Sequence, residues 1–332
     1  MRKEQMRYSS ALPSPGGLAG RLAAWTCGAV LATALLAAPA IAQGLTFNKG
    51  QSISPAYEGW TQNEDGSFNL LFGYMNRNWE EQPDIPIGPD NVFSPGPADR
   101  GQPTHFLPRR NRFIFEVTVP ADFGDRELVW TINHNGEAMT AYGSLRPDYF
   151  IDNVVIMSEN GALGPGTSSP ELREHTPPTV HLQTPTVIEA RVGEPVQLVA
   201  YVTDDGLPRR REVRVPVTEG GDLDYERAIQ MIPSRITVEK IVGLHMTWFV
   251  YRGPQASKDA VRFDPPQIHA WEDTRPYSNS PWAAYWNPPE PPEDGIWIAE
   301  VTFDQPGTYV LRGRADDGGL YTDTNVTVHV RK

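Results

Sequence analysis

The sequence predicts an all-β protein, two β-sandwich domains joined by a Pro/Gly-rich linker, the second domain interrupted by two long insertions. Three observations carry this. Short runs rich in Val, Ile, Thr and aromatic residues alternate with turn residues along most of the chain. The final run sets Val326, Val328 and Val330 against Thr327, His329 and Arg331, the period of two that belongs to a half-buried strand. Residues 160–178 hold Gly161, Gly164-Pro165-Gly166, Ser168-Ser169-Pro170 and Pro177-Pro178 with no apolar period, which is the composition of a linker.

Residues 1–42 read as a secretory signal. Arg2, Lys3, Arg7 and Arg21 are positive, Leu22 to Leu36 is apolar, and Ala40-Ile41-Ala42 supplies the small-residue cleavage pattern before Gln43. The apolar run falls short of the roughly 20 residues that a helical membrane span needs. Trp25-Thr26 makes a poor lipobox for Cys27. Cys27 is the chain's single cysteine, so the remaining 43–332 is neither a disulfide scaffold nor a thiol enzyme nor a cysteine-ligated zinc protein. The chain carries a net charge of −12, and loss of residues 1–42, which carry +3, leaves −15. That sign argues against nucleic acid and anionic lipid as partners. The expected compartment is periplasmic or extracellular.

In the first domain, residues 43–159, Phe68 to Tyr74 and Phe113 to Val119 read as strands, the second ended by Pro120. Leu128 to Ile132 meets the turn signal Asn133-His134-Asn135-Gly136, and Ala138 to Leu145 returns as its hairpin partner. Between Trp79 and Arg110 the chain is a Pro-, Gly- and Asp-rich excursion. Asn76, Arg77 and Asn78 beside it suit either a bound ligand or, the reading preferred, bonds that tie the loop to its own backbone. This half resembles no family we recognise.

In the second domain, residues 179–332, strands are expected at Val196–Thr203, Leu244–Tyr251, Ile296–Phe303, Gly307–Ala315 and Tyr321–Val330. Tyr309, Leu311 and Ala315 share one face, while Arg312 and Arg314 point to the other, expected to lie in water. A short helix capped by Asp222 is expected within 222–231. Asp204-Asp205-Gly206-Leu207-Pro208, Thr247-Trp248, Gly253-Pro254, Val261-Arg262-Phe263, Pro306-Gly307-Thr308-Tyr309-Val310-Leu311-Arg312 and Ala315-Asp316-Asp317-Gly318 follow in order. Together they resemble the bacterial PKD-type, immunoglobulin-like β-sandwich repeats of secreted proteins. The resemblance implies Trp248 as the plug of the inter-sheet core, and Asp316-Asp317-Gly318 as the turn between the last two strands. It also implies an interaction or spacer module. The chain departs from such repeats between Pro208 and Trp248 and again between Phe263 and Trp297, where it is much longer.

Two constellations stand out. Asp204, Asp205, Asp316 and Asp317 lie in two Asp-Asp-Gly turns; if both turns, or one of them with Asp323, meet at one end of a sandwich, their oxygens suit a structural Ca²⁺. The alternative is that Asp and Gly are there as turn formers. Trp271, Trp282, Tyr285 and Trp286 lie in a Pro-rich insertion and suit either a flat platform for sugar or peptide, or a lid folded onto the protein. No G-x-S-x-G, H-E-x-x-H or phosphate-binding Gly-rich motif occurs, and the seven histidines lack ligand spacing. The reading is an exported, non-enzymatic binding or structural protein whose partner is a protein or polysaccharide of the cell surface. The alternatives are a polysaccharide-binding accessory protein, or a secreted hydrolase using carboxylates across an inter-domain cleft.

Overall fold

A computed structural model describes residues 47–160, 169–209, 218–221, 224, 227, 243–270 and 290–332, and the strands among them form two pairs of antiparallel-rich sheets. The first sandwich opposes sheet β1-β2-β4 (Ile53–Gln62, Phe68–Asn76, Arg109–Val119) to sheet β3-β5-β6 (Asn91–Ser94, Leu128–His134, Glu137–Gly143). The β5–β6 hairpin closes on Asn135 and Gly136, both with positive φ (53° and 78°), as a tight hairpin turn demands. Between the sheets, Trp130 is fully buried, stacked on Phe93 at 5.8 Å and edge-on to Phe115 at 5.0 Å. Its indole N–H donates to Asn91 Oδ1 at 3.0 Å, so the one polar atom of the ring is satisfied.

The second sandwich sets sheet β7-β9-β12-β11 (Thr179–Leu182, Val196–Thr203, Ile296–Phe303, Val261–Asp264) against sheet β8-β14-β13-β10 (Val187–Arg191, Tyr321–Arg331, Gly307–Asp316, His245–Arg252). Strand β8 runs parallel to β14, and the other pairings are antiparallel. This order is that of an immunoglobulin-like sandwich. Two side chains agree with it. Trp248 on β10 plugs the core, and Tyr309 near the start of β13 donates its hydroxyl to Gln305 O at 3.0 Å, the corner bond typical of such folds. Trp248 pairs with Gly313, where a Cβ would stand 2.5 Å from Met246 and 2.9 Å from the indole. Gly313 is what lets the Trp lie flat across the sheet.

The expected exposure of Arg312 and Arg314 does not hold. Both are buried, because the outer face of β10 and β13 is covered by the first sandwich. Phe249 and Tyr251 from β10 belong to the core cluster of the first sandwich, and residues 47–332 gather into one compact unit. The 79–110 excursion wraps the free edge of β10. The amides of Thr104 and His105 both donate to Tyr251 O at 3.2 Å, the Tyr251 hydroxyl donates to Gly101 O at 2.5 Å, and Arg252 clamps Asp99 through two bonds of 3.0 and 2.7 Å. Asn76 and Asn78, both fully buried, tie their loop to Gln51, Glu81 and Phe106, as the sequence suggests.

A helix, α1 (Asn153–Glu159), occupies a stretch expected to hold only strands; the Asp152 side chain caps it by accepting from Val155 N at 3.0 Å. Its Ile156 and Met157 pack with Leu71, Phe113 and Leu320, joining the two sandwiches. The expected helix at 222–231 lies outside the described residues except for Asp224 and Arg227.

Candidate functional sites at the seam and at the aspartate turns

The two Asp-Asp-Gly turns do meet. Between them stands His175, which the sequence left unassigned. Helix α2 (Pro170–Arg173), capped by Ser169, delivers His175 to a fully enclosed position. Its Nδ1 lies 2.9 Å from Asp205 Oδ2, and its Nε2 lies 3.1 Å from Asp317 Oδ2. Thr176 N donates to Asp205 Oδ2 at 3.0 Å. Several of the other oxygens serve their own turns: Asp317 Oδ1 accepts from Gly319 N (2.6 Å) and Leu320 N (2.8 Å), Asp316 Oδ1 from Gly318 N (2.7 Å), and Asp204 Oδ2 from Gly206 N (2.9 Å).

Burial, then the neighbouring Asp316 charge, pushes the Asp317 carboxyl up to about 7. Burial also raises Asp204, whose Oδ1 is enclosed without a hydrogen-bond partner. Burial acts upward on Asp205 as well, but the Thr176 amide, His175 and the Leu207 amide outweigh it and hold the carboxyl below its ordinary value. Both ring nitrogens of His175 face carboxylates. The contact is therefore satisfied by a doubly protonated ring, or by a neutral ring with the proton on Asp317.

This arrangement does not fit a calcium ion. Calcium takes six to eight oxygens, whereas here Asp205 and both oxygens of Asp317 are engaged by N–H groups or the His175 ring, and the space between those two carboxylates holds an imidazole. Among the described residues no group of three or more His, Asp or Glu side chains is disposed to hold a metal. Asp323, the further oxygen donor considered, is bound by both Nε and Nη2 of Arg314 at 2.8 Å.

The second site is the seam itself. Arg314 stacks on Tyr321 (4.1 Å) and donates to Phe113 O at 3.1 Å, while Arg312 stacks on Tyr251 (3.6 Å) and donates to Ile114 O. Those two carbonyls lie in a bulge. The β2–β4 pairing jumps from Phe72–Phe115 to Tyr74–Asn111, and Phe113 takes φ 49°, where a large side chain is rare. Opposite the bulge stands Gly73, whose added Cβ would meet Asn111 O at 2.4 Å. Beside these contacts the sheet faces diverge into a cleft of about 690 Å³, lined among others by Thr61, Glu116, Tyr321, Thr322, Asp323 and Asn325. Burial, then the Asp323 charge, raises the Glu116 carboxyl.

Asp84, His105 and Ser257 also converge, with 2.9 Å from Asp84 Oδ1 to His105 Nδ1. They do not form a nucleophile relay. His105 Nε2 faces Gln82 Oε1 at 3.1 Å, and the buried Ser257 hydroxyl donates to Pro254 O at 2.5 Å. The aromatic candidates Trp271, Trp282, Tyr285 and Trp286 lie outside the described residues. His175 and Glu116 escape sequence reading because their partners are distant in the chain, Asp205 and Asp317 lying 30 and 142 residues from His175, and no spacing announces them.

No protein-family model and no curated protein matches the chain. Solved structures to which it is similar include a chimeric titin Z1Z2 carrying a decorin peptide (11% identity, 85% of this chain and 99% of that one, TM-score 0.21). Domains 4 and 5 of the S-layer protein SbsC also match (9% identity, 85% and 98%, TM-score 0.21). So does the Yersinia pseudotuberculosis adhesin InvE (11% identity, 84% and 58%, TM-score 0.22). Overlap at this level carries no argument about this chain. The immunoglobulin-like assignment rests on its own strand order and corner bond.

Proposed function

We propose that the chain is an exported, non-enzymatic binding or structural protein of the cell envelope, its second sandwich a PKD-type member of the immunoglobulin-like class. The observation that carries the reading is the seam. The protein spends two buried arginines and a long clasp on holding two sandwiches face to face, which suits a part that must present a fixed shape. The signal-like residues 1–42 support export. No helix among the described residues is long and apolar enough to cross a membrane.

A second reading, polysaccharide binding, is favoured by the polar-walled cleft and by the Trp-rich insertion. Hydrolysis is favoured less. Glu116 and Asp323 do come from different sandwiches to one cleft, but Asp323 is held by both arms of Arg314, the posture of a structural ion pair.

Two measurements test this. Fractionation of producing cells should recover a chain beginning at Gln43 outside the cytoplasm; a folded cytoplasmic pool retaining Met1 sinks the export reading. Incubation with envelope polysaccharides should show retention without chain shortening, and turnover of the polymer would replace the binding reading with an enzymatic one.

A further inference from the structure

The cleft can be asked what it would hold. Its walls are faces of sheets, not edges. Leu71 pairs with Glu116 and Arg312 with Asn325, so the backbone on both walls is already spent in ladders. An extended peptide that binds by adding a strand finds no partner there. The cationic groups nearby are also committed, Arg312 and Arg314 to Asp323 and two carbonyls, and Arg252 to Asp99. Among the described lining residues an anion therefore meets no uncommitted positive charge. What remains accessible is a set of side-chain donors and acceptors: Thr61 and Glu116 on one wall, Glu116 bonded to Asn69, and on the other Thr322 and the side-chain amide N–H groups of Asn325, whose Oδ1 already accepts from Arg312 Nε at 3.0 Å. Glu116 and Asn325 are exposed, and Glu116 has no ion pair among the described residues. The volume lies in the range of small-molecule sites.

We propose that this cleft between the sandwiches seats a saccharide, its hydroxyls read by Thr61, Glu116, Thr322 and Asn325, with Glu116 favouring a sugar that carries an amine. The inference rests on the polysaccharide-binding reading above and gives that reading a location. Uncharged polar side chains suit a polyhydroxyl chain, and a wall carboxylate outside any ion pair, as Glu116 is while Asp323 is held by Arg314, is the natural partner of an ammonium group. The raised Glu116 carboxyl agrees with a partly enclosed position.

The test is titration calorimetry of the purified exported chain with four probes: cellohexaose, maltohexaose, chitohexaose and its deacetylated amine form. At least one should bind, the amine form more tightly than chitohexaose, and Glu116→Gln should erase that preference. Glu116→Trp and Asn325→Trp fill the cleft from opposite walls at exposed positions, and each should weaken binding at least about tenfold. Thr61→Trp serves the same purpose if either variant melts early. If the fillers bind like the parent while Trp282→Ala or Trp286→Ala loses binding, the cleft is the wrong seat and the saccharide reading survives. If none of the four probes binds, both fall.

Discussion

His175 shows what a single side chain can do when it is enclosed between two loops. It replaces the cation that the aspartate turns would otherwise invite, so chelation should leave the melting curve of the whole chain unchanged. A fall in melting temperature with chelator would mean that an ion is bound after all. The node should also leave a mark on pH dependence. Asp317 has its folded carboxyl raised to about 7 from 3.8, so its contribution to stability is present in full below about pH 4 and is lost as pH rises through 7. Asp317→Asn keeps the acceptor for Gly319 and Leu320 and can donate to a neutral His175. It should flatten the stability–pH curve between 4 and 7 in urea unfolding, and an unchanged slope would contradict the assignment. Gly313→Ala probes a different constraint, the flat indole of Trp248. It should cost about 1–3 kcal/mol, the usual range for overpacking a tight core, read in the same assay. The aspartate turns were legible because Asp-Asp-Gly is a local signal. The histidine between them was not, since nothing local marks a lone His as a bridge.

Elements were legible in proportion to how much of their pattern is local. Strands β9 and β12 lie at the residues their periodicity marks, because one face is core and the other open to water. Strand β10 is buried on both faces, so its alternation disappears into a continuous run, His245 to Tyr251. Strand β13 lies where the sequence marks it, but the outer face bearing Arg312 and Arg314 was misread as solvated. An arginine pair opposite a core face looks solvated unless the partner sheet is known. A double-mutant cycle on Arg314 and Asp323 measures what that partner contributes. Arg314→Ala alone leaves Asp323 without its two charge-assisted bonds, and should cost about 3–5 kcal/mol as for other broken buried pairs. Adding Asp323→Ala should recover part of that loss. Strict additivity of the two changes would show that the pair does not interact.

For the whole molecule the seam predicts cooperativity. Phe249 and Tyr251 belong to the first sandwich's core while their neighbours Trp248 and Val250 belong to the second's, so neither core can melt without unsettling β10. Calorimetry should record one transition for the described unit, with calorimetric and van't Hoff enthalpies agreeing. Two resolved peaks would mean that the sandwiches unfold independently. The same arrangement explains why all-β architecture could be read from the sequence while the sharing of a core could not: periodicity reports whether a face is apolar, and says nothing of which surface covers it.

The parallel pairing of β8 with β14 has a mechanical consequence. Thr327 to Arg331 run alongside Val187 to Arg191 in the same direction, so tension applied at the β14 end and resisted through the chain entering β8 draws the two strands past each other lengthwise. Five residue pairs then bear the load together, whereas an antiparallel hairpin pulled from its open end yields one bond at a time.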